Sequence, residues 1–212
     1  MSYTSQNKQI EDQSNLRKWL EATYKNNSII HVSSGNSIPL LPDKIWLVIR
    51  GMVKLGSVTF NGDELLLGLA GPGQPFGEPM SGMEVYEAIC TTDCDLICMS
   101  LKDIENSHAL SSAMASAMYH RYRQSQRLLS LLGLRKVQER IQGFLEMLIQ
   151  EYGIACNEGL RLDLRLTHQE IASALSTTRV TVTRVLGHLR SEGWLKFDSN
   201  RHLILTKSYK AR

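Results

Sequence analysis

The chain has 212 residues, 42% of them hydrophobic and 21% charged, with a formal net charge of +3. That is the composition of an ordinary globular protein, large enough for one big domain or two modest ones. No run of 18 apolar residues occurs and the N-terminal stretch is polar. Neither a membrane-spanning helix nor a secretory leader is therefore expected, and the cytoplasm is the expected compartment, with the four cysteines expected as free thiols.

Residues 15–26 carry Leu16, Trp19, Leu20 and Tyr24 at helical spacing and predict a short amphipathic helix. From 28 to about 100 the texture changes to short β-like runs: IIHV, IWLVI, VKLGSV, ELLLGLA, EAICT and DLICMS. Glycines punctuate these runs, and regular short strands between such turns predict an all-β barrel or roll. Cys90, Cys94 and Cys98 fall at one spacing, with Cys94 expected at the turn between two strands. Their fellow Cys156 is far away, so buried thiols are expected in preference to a metal cluster.

Residues 103–132 lack Gly and Pro and predict a long helix. Met114, Met118, Arg121, Ser125, Leu128 and Leu132 step by four and three, the spacing of a coiled-coil seam, which predicts a dimerisation helix. Gly133 offers a hinge, and a second apolar helix runs to Gly153. Residues 160–166 alternate strictly and predict a strand with one buried face.

Thr167 followed three residues later by Glu170 predicts a capping box at the start of a short helix ending near Leu175. Ser176 and Thr177 form a turn into a second helix that ends at Gly193. Two short strands, WLKF and HLIL, then flank a tight turn at residues 198–201. Helix, turn, helix and hairpin together predict a winged helix-turn-helix. The charge is distributed accordingly: residues 133–212 hold 13 Lys/Arg against 8 Asp/Glu, or +5, and residues 1–132 hold the remaining 11 against 13, or −2.

On the second helix Arg179, Val180, Thr183 and Arg184 are expected to face outward, with Arg179 and Arg184 about 140° apart around the axis. An arginine can bind guanine O6 and N7 in bidentate fashion, so this face suits the major groove of double-stranded DNA. Thr178 and Thr181 are expected to meet phosphates with their hydroxyls. The rival classes lack their residues. A β-roll enzyme such as a cupin needs clustered metal ligands, yet of the histidines only His31 lies in the roll, so neither catalysis nor a metal site is expected.

The stretch LTHQEIASALSTTRVTVTRVLGHLRSEGWL resembles the DNA-binding signature of the CRP/FNR regulators, closest to their cyanobacterial NtcA-like branch, with a CysR-type paralogue as the expected kind of member. The resemblance implies an α+β architecture. A β-roll of cyclic-nucleotide-binding type, a double-stranded β-helix, is expected over 1–102, a dimerisation helix over 103–132, and a winged helix-turn-helix over 133–212. It implies a homodimer on a palindromic site and a contact with RNA polymerase. By position it makes Arg179, Val180 and Arg184 the base readers and puts His168, with its neighbour Gln169, at a phosphate-contacting place, with His202 in the wing able to serve similarly; an ordinary surface or packing role is the alternative for each histidine. Where the cAMP-responsive branch has glutamate this chain has Val180, which can touch only a thymine methyl; the expected site is therefore of the GTA-N8-TAC type and not TGTGA. Where the family's turn usually has glycine this chain has Ser176, so a positive φ there is expected to carry strain.

The resemblance also locates an effector pocket. Gly77 and Glu78 keep the start of the family's phosphate-binding cassette, but Val85 and Tyr86 stand where cAMP binders have Arg-Ser. Without that arginine a buried cyclic phosphate has no bidentate partner, so cAMP is not expected. Arg121 matches the dimer-helix arginine that holds 2-oxoglutarate in the nitrogen-control branch. Glu84 stands in place of the second arginine. Glu78, Tyr86, Arg121 and Ser125 are the expected pocket residues, for 2-oxoglutarate or another small anion, with nitrogen or sulfur supply as the expected signal. A regulator that is DNA-competent without any effector is the alternative.

Overall fold

The computed structural model describes residues 28–60, 62 and 64–206. The helix expected at 15–26 lies outside the described residues. The chain divides between Ser125 and Gln126 into two compact units.

Among the described residues the first unit has seven strands: β1 Ile29–Val32, β2 Lys44–Arg50, β3 Val53–Val58, β4 Glu64–Ala70, β5 Pro75–Phe76, β6 Glu87–Cys90 and β7 Cys94–Ser100. They form two antiparallel sheets, in the orders β1-β7-β2-β5 and β4-β3-β6. Alternation in β2 explains how the unit has two cores. Trp46 and Val48 point into the roll, where they meet Val53, Leu55, Phe76 and Leu96. Ile45 and Leu47 point the other way, onto Ile104, Leu110, Ala113 and Ala117 of the helices that follow. The Trp46 indole N–H donates to the Pro39 carbonyl at 2.9 Å, so its one polar atom is satisfied.

Five of the structure's details differ from the sequence-based expectation. Strand β5, only two residues long, is too short to carry a period. Cys94 opens β7 as a buried residue and does not sit in the turn. The expected helix 103–132 is two helices. Helix α1, Leu101–Glu105, starts earlier, under a capping box made by Ser100 and Asp103. It stops at Asn106, and α2, His108–Leu132, begins afresh. The fourth difference is the seam. Leu110, Ala113, Ala117 and Gln124 are buried, Leu128 is buried too, and Arg121 reaches the carbonyl of Leu69 on the roll. The exposed apolar stripe is shifted around the helix, to Met118, Tyr122 and Leu129, which are 41%, 61% and 70% exposed.

The second unit comprises the end of α2, then α3 Val137–Tyr152, β8 Gly153–Cys156, β9 Gly159–Leu162, α4 His168–Ala174, α5 Arg179–Ser191, β10 Leu195–Phe197 and β11 Leu203–Thr206. The strands join into one sheet of order β10-β11-β9-β8. The fifth difference lies here: the strand expected at 160–166 ends as a ladder at Leu162 and pairs on one side with β8, which was not expected. Its alternation continues past the ladder. Leu162 and Leu164 are buried while Asp163 and Arg165 are exposed.

Candidate DNA-binding surface and the roll cluster

Helix α4 begins as its sequence predicts. The Thr167 hydroxyl accepts from the Glu170 backbone N–H at 3.1 Å, and the Glu170 carboxylate accepts from the Thr167 N–H at 2.8 Å. Two otherwise unpaired donors are thereby satisfied. Thr167→Ala is expected to cost about 1 kcal/mol of stability, seen as a lower denaturation midpoint with an unchanged slope.

The turn between α4 and α5 is held from outside and strained within. The Arg140 guanidinium, on α3, donates to the Leu175 carbonyl at 2.8 Å. The next residue, Ser176, has φ 50°, the left-handed conformation that the family resemblance implied where glycine is usual. A side chain there costs ~1–2 kcal/mol, of which glycine's greater freedom in the unfolded chain returns part. Ser176→Gly is therefore expected to stabilise the protein by about 0.5–1 kcal/mol, read in the same titration.

Helix α5 opens with Thr178 as N-cap, its hydroxyl accepting from the Thr181 N–H at 3.1 Å. The Thr178 and Thr181 hydroxyls also lie 2.9 Å apart. Two hydroxyl protons share that single contact, so one remains to be donated elsewhere. Val182, Val185, Leu186 and Leu189 are buried and occupy one arc of the helix. The opposite arc carries Arg179, Val180, Thr183 and Arg184, all exposed, Val180 by 78%. Gly193, φ 71°, ends the helix in a conformation that a side chain would oppose.

His168 and His202 are both engaged inside the fold. The Nδ1 of His168 lies 2.7 Å from the Thr183 hydroxyl. The His202 ring sits between two carboxylates, with Nδ1 3.1 Å from Asp198 and Nε2 3.8 Å from Asp163. Asp198 also accepts from the backbone N–H groups of Asn200 and His202. Burial pushes the Asp198 carboxyl upward, but the backbone and ring of His202 together hold it below its ordinary value. This network shapes the wing turn, where Arg201 has φ 63° and is exposed. Gln169 is exposed, with its amide 3.4 Å from Ser173. Arg140 and Arg201 were not singled out by the sequence. Arg140 gives no local signal because its partner is 35 residues away, whereas Arg201, in a tight turn beside His202, was legible.

In the roll the structure brings together Arg121, Gln124 and Tyr86. The Arg121 guanidinium donates to the Leu69 carbonyl at 2.8 Å and to the Gln124 side-chain oxygen at 3.0 Å. Gln124 is buried, and its oxygen also accepts from the Leu69 N–H at 3.4 Å. The approach is close: a Cβ on Gly68 would lie 2.7 Å from the Gln124 oxygen, so the Gln124 side chain would have to shift. Burial raises the Tyr86 phenol above its ordinary value, and Arg121 nearby opposes that shift. Glu78 and Ser125 are exposed. Gln124 was not expected from sequence, although its spacing of three from Arg121 puts the two on one helix face. Two of the cysteines are held as thiols: burial, then Cys94 beside it, pushes the Cys90 thiol up to about 12, and burial raises the Cys98 thiol as well.

Comparison with known proteins agrees on both units. Residues 41–109 match the cyclic nucleotide-binding domain family and residues 139–210 the Crp-like helix-turn-helix domain family. The chain is 31% identical over 168 residues to the global nitrogen regulator of Nostoc sp., covering 75% of each chain. It is 33% identical over 159 residues to the regulatory protein CysR of Synechococcus elongatus, covering 74% of this chain and 73% of that one. Among solved structures it is similar to a CRP/FNR-family transcriptional regulator from Thermus thermophilus, with a TM-score of 0.68 and 26% identity over 86% of this chain and 95% of that one. FixK2 from Bradyrhizobium japonicum shares the fold at a TM-score of 0.73 and 19% identity, over 87% and 94% of the two chains.

Proposed function

Because the chain belongs to the CRP/FNR family of DNA-binding transcriptional regulators, which are not enzymes, we propose that a twofold dimer of it reads a palindromic operator through α5. Arg179 and Arg184 bind guanines, and Val180 and Thr183 face the bases between them. The observation that carries this reading is the division of α5 into a buried apolar arc and an exposed arc bearing these four side chains.

The half-site is of the GTA type in a GTA-N8-TAC arrangement, since Val180 offers a methyl contact and no acceptor for cytosine. Thr178 and Thr181, with their spare hydroxyl proton, and Gln169 on α4 bind phosphates and set the register. His168 and His202 lie close enough to this face to add to it, but each ring already serves a contact inside the fold.

The exposed stripe of Met118, Tyr122 and Leu129 on α2 supports the dimer, which would set two α5 helices about 34 Å apart on successive turns of DNA. The protein works in the cytoplasm with RNA polymerase as a partner; among the described residues no helix is long and apolar enough to cross a membrane.

The relatives named for nitrogen and for CysR regulation support a nutrient signal. Arg121, Tyr86 and Gln124 form the candidate anion-binding cluster for 2-oxoglutarate or a similar dianion. An effector would act by binding the DNA-competent state better than the other. A regulator that needs no effector is the alternative: Arg121 already spends its Nη1 donors on Leu69 and Gln124, so an incoming anion would meet only its Nη2 and Nε donors.

The test is binding to GTA-N8-TAC and TGTGA palindromes over a series of salt concentrations, with and without 2-oxoglutarate. Preference for GTA-N8-TAC and a steep loss of affinity with salt are expected, the salt effect because phosphate contacts release counterions. Equal binding to both sites, or preference for TGTGA, would sink the assignment. Unchanged affinity with 2-oxoglutarate would remove that ligand.

A further inference from the structure

The contact between His168 and Thr183 has a consequence for how bases are read. Thr183 lies 2.9 Å from the Arg179 carbonyl and 2.7 Å from His168 Nδ1. A carbonyl can only accept, so the single hydroxyl proton goes to Arg179. The Thr183 oxygen must then accept from His168, and Nδ1 carries the ring's proton. In the neutral ring Nε2 is left as an acceptor, which a phosphate oxygen cannot use.

Thr183 is nevertheless exposed, and it sits between Arg179 and Val180 around α5. With its hydroxyl proton committed to the helix backbone and one of its two lone pairs to α4, the side chain has no donor left for a ligand, only the γ-methyl and one acceptor lone pair. The Thr183 hydroxyl thereby serves as an anchor inside the fold.

We propose that His168 is a positioning residue for DNA recognition: by holding the Thr183 hydroxyl it presents the Thr183 methyl to the groove, so that α5 reads a thymine methyl through Thr183 in addition to the one met by Val180. This inference rests on the reading of α5 as the base-reading helix. A methyl contact of this kind is lost when thymine is replaced by uracil, with no change in hydrogen-bonding edges.

The experiment uses the full chain and an operator selected from random DNA, with each thymine of the half-site replaced in turn by uracil. The unmodified protein is expected to bind about fourfold more weakly at each of two positions, the fold-change equivalent to about 0.8 kcal/mol for one buried carbon group. Val180→Ala should abolish the penalty at one position. Thr183→Ser, which keeps the hydroxyl and removes the methyl, should abolish it at the other. His168→Ala should reduce the Thr183-dependent penalty, and His168→Asn, whose amide can donate from nearly the place of Nδ1, should restore it.

Failure to select any operator would remove the base-reading function itself. A selected operator with no uracil penalty assignable to Thr183 would overturn the inference alone. So would a His168→Ala protein that weakens binding equally at thymine and uracil with a salt slope shallower by about one, the signature of a lost phosphate contact.

Discussion

Alanine in place of Arg179 or of Arg184 is expected to weaken operator binding by about 1–3 kcal/mol each, or five- to 150-fold, and to relax base preference at one position of the half-site. Both side chains are exposed on the arc of α5 opposite Val182, Val185, Leu186 and Leu189. Truncating them removes no core contact, so the denaturation midpoint should stay within about 0.5 kcal/mol of the original. Loss of binding without loss of stability is what separates a base reader from a structural arginine.

Lysine is the informative companion. It keeps the charge that attracts DNA, but a point charge cannot span O6 and N7 of one guanine as the guanidinium fork does. Arg179→Lys and Arg184→Lys should therefore keep most of the salt-dependent affinity and lose most of the selectivity. Binding titrations on the operator and on single-base variants measure both. Either alanine protein retaining full affinity and selectivity would remove that arginine from the set of base readers.

Phe144→Ala is expected to be the most damaging single substitution in the second unit, at about 3–5 kcal/mol. Phe144 is 1% exposed, and Ile141, Leu145 and Leu148 on the same helix are equally buried. These four recur at the three- and four-residue spacing that gives α3 one continuous apolar face. Removing the ring takes away its transfer free energy and leaves a cavity that the surrounding helices and sheet fill only in part. Domains are stable by only about 5–15 kcal/mol, so the loss is a large fraction of the total. A lower midpoint in urea with an unchanged slope would show it. Operator affinity should remain near normal at temperatures where the protein is still folded, because the buried Phe144 ring is not part of the exposed arc of α5. A midpoint shift under about 1 kcal/mol would mean that the packing around Phe144 is not as close as its burial implies.

The features legible in the sequence were those set by neighbours along the chain. Thr167 and Glu170 are three residues apart, and their reciprocal hydrogen bonds need nothing from the rest of the fold. The β2 run was legible for the same reason: consecutive side chains alternate, and both faces of β2 meet apolar partners. The positive φ of Ser176 was expected only through the family resemblance, whose turn usually has glycine at that place.

What was missed depends on partners far away. Strand β8 exists because β9 pairs with it, and β5 because β2 offers an edge. The break at Asn106 needs no glycine or proline, since Ser100 caps α1 and α2 must turn to lay Leu110, Ala113 and Ala117 on the roll.

The capped start of α4, the outward arginines of α5 and the winged helix-turn-helix were thus determined by the sequence alone, because capping, alternation and helical periodicity act within a few residues. Which face of α2 covers the roll, that Arg121 leans on Leu69, and that His168 holds Thr183 were decided only by the tertiary structure. Those contacts join groups 15 to 52 residues apart, and no local period records which of several polar side chains will meet across such a distance.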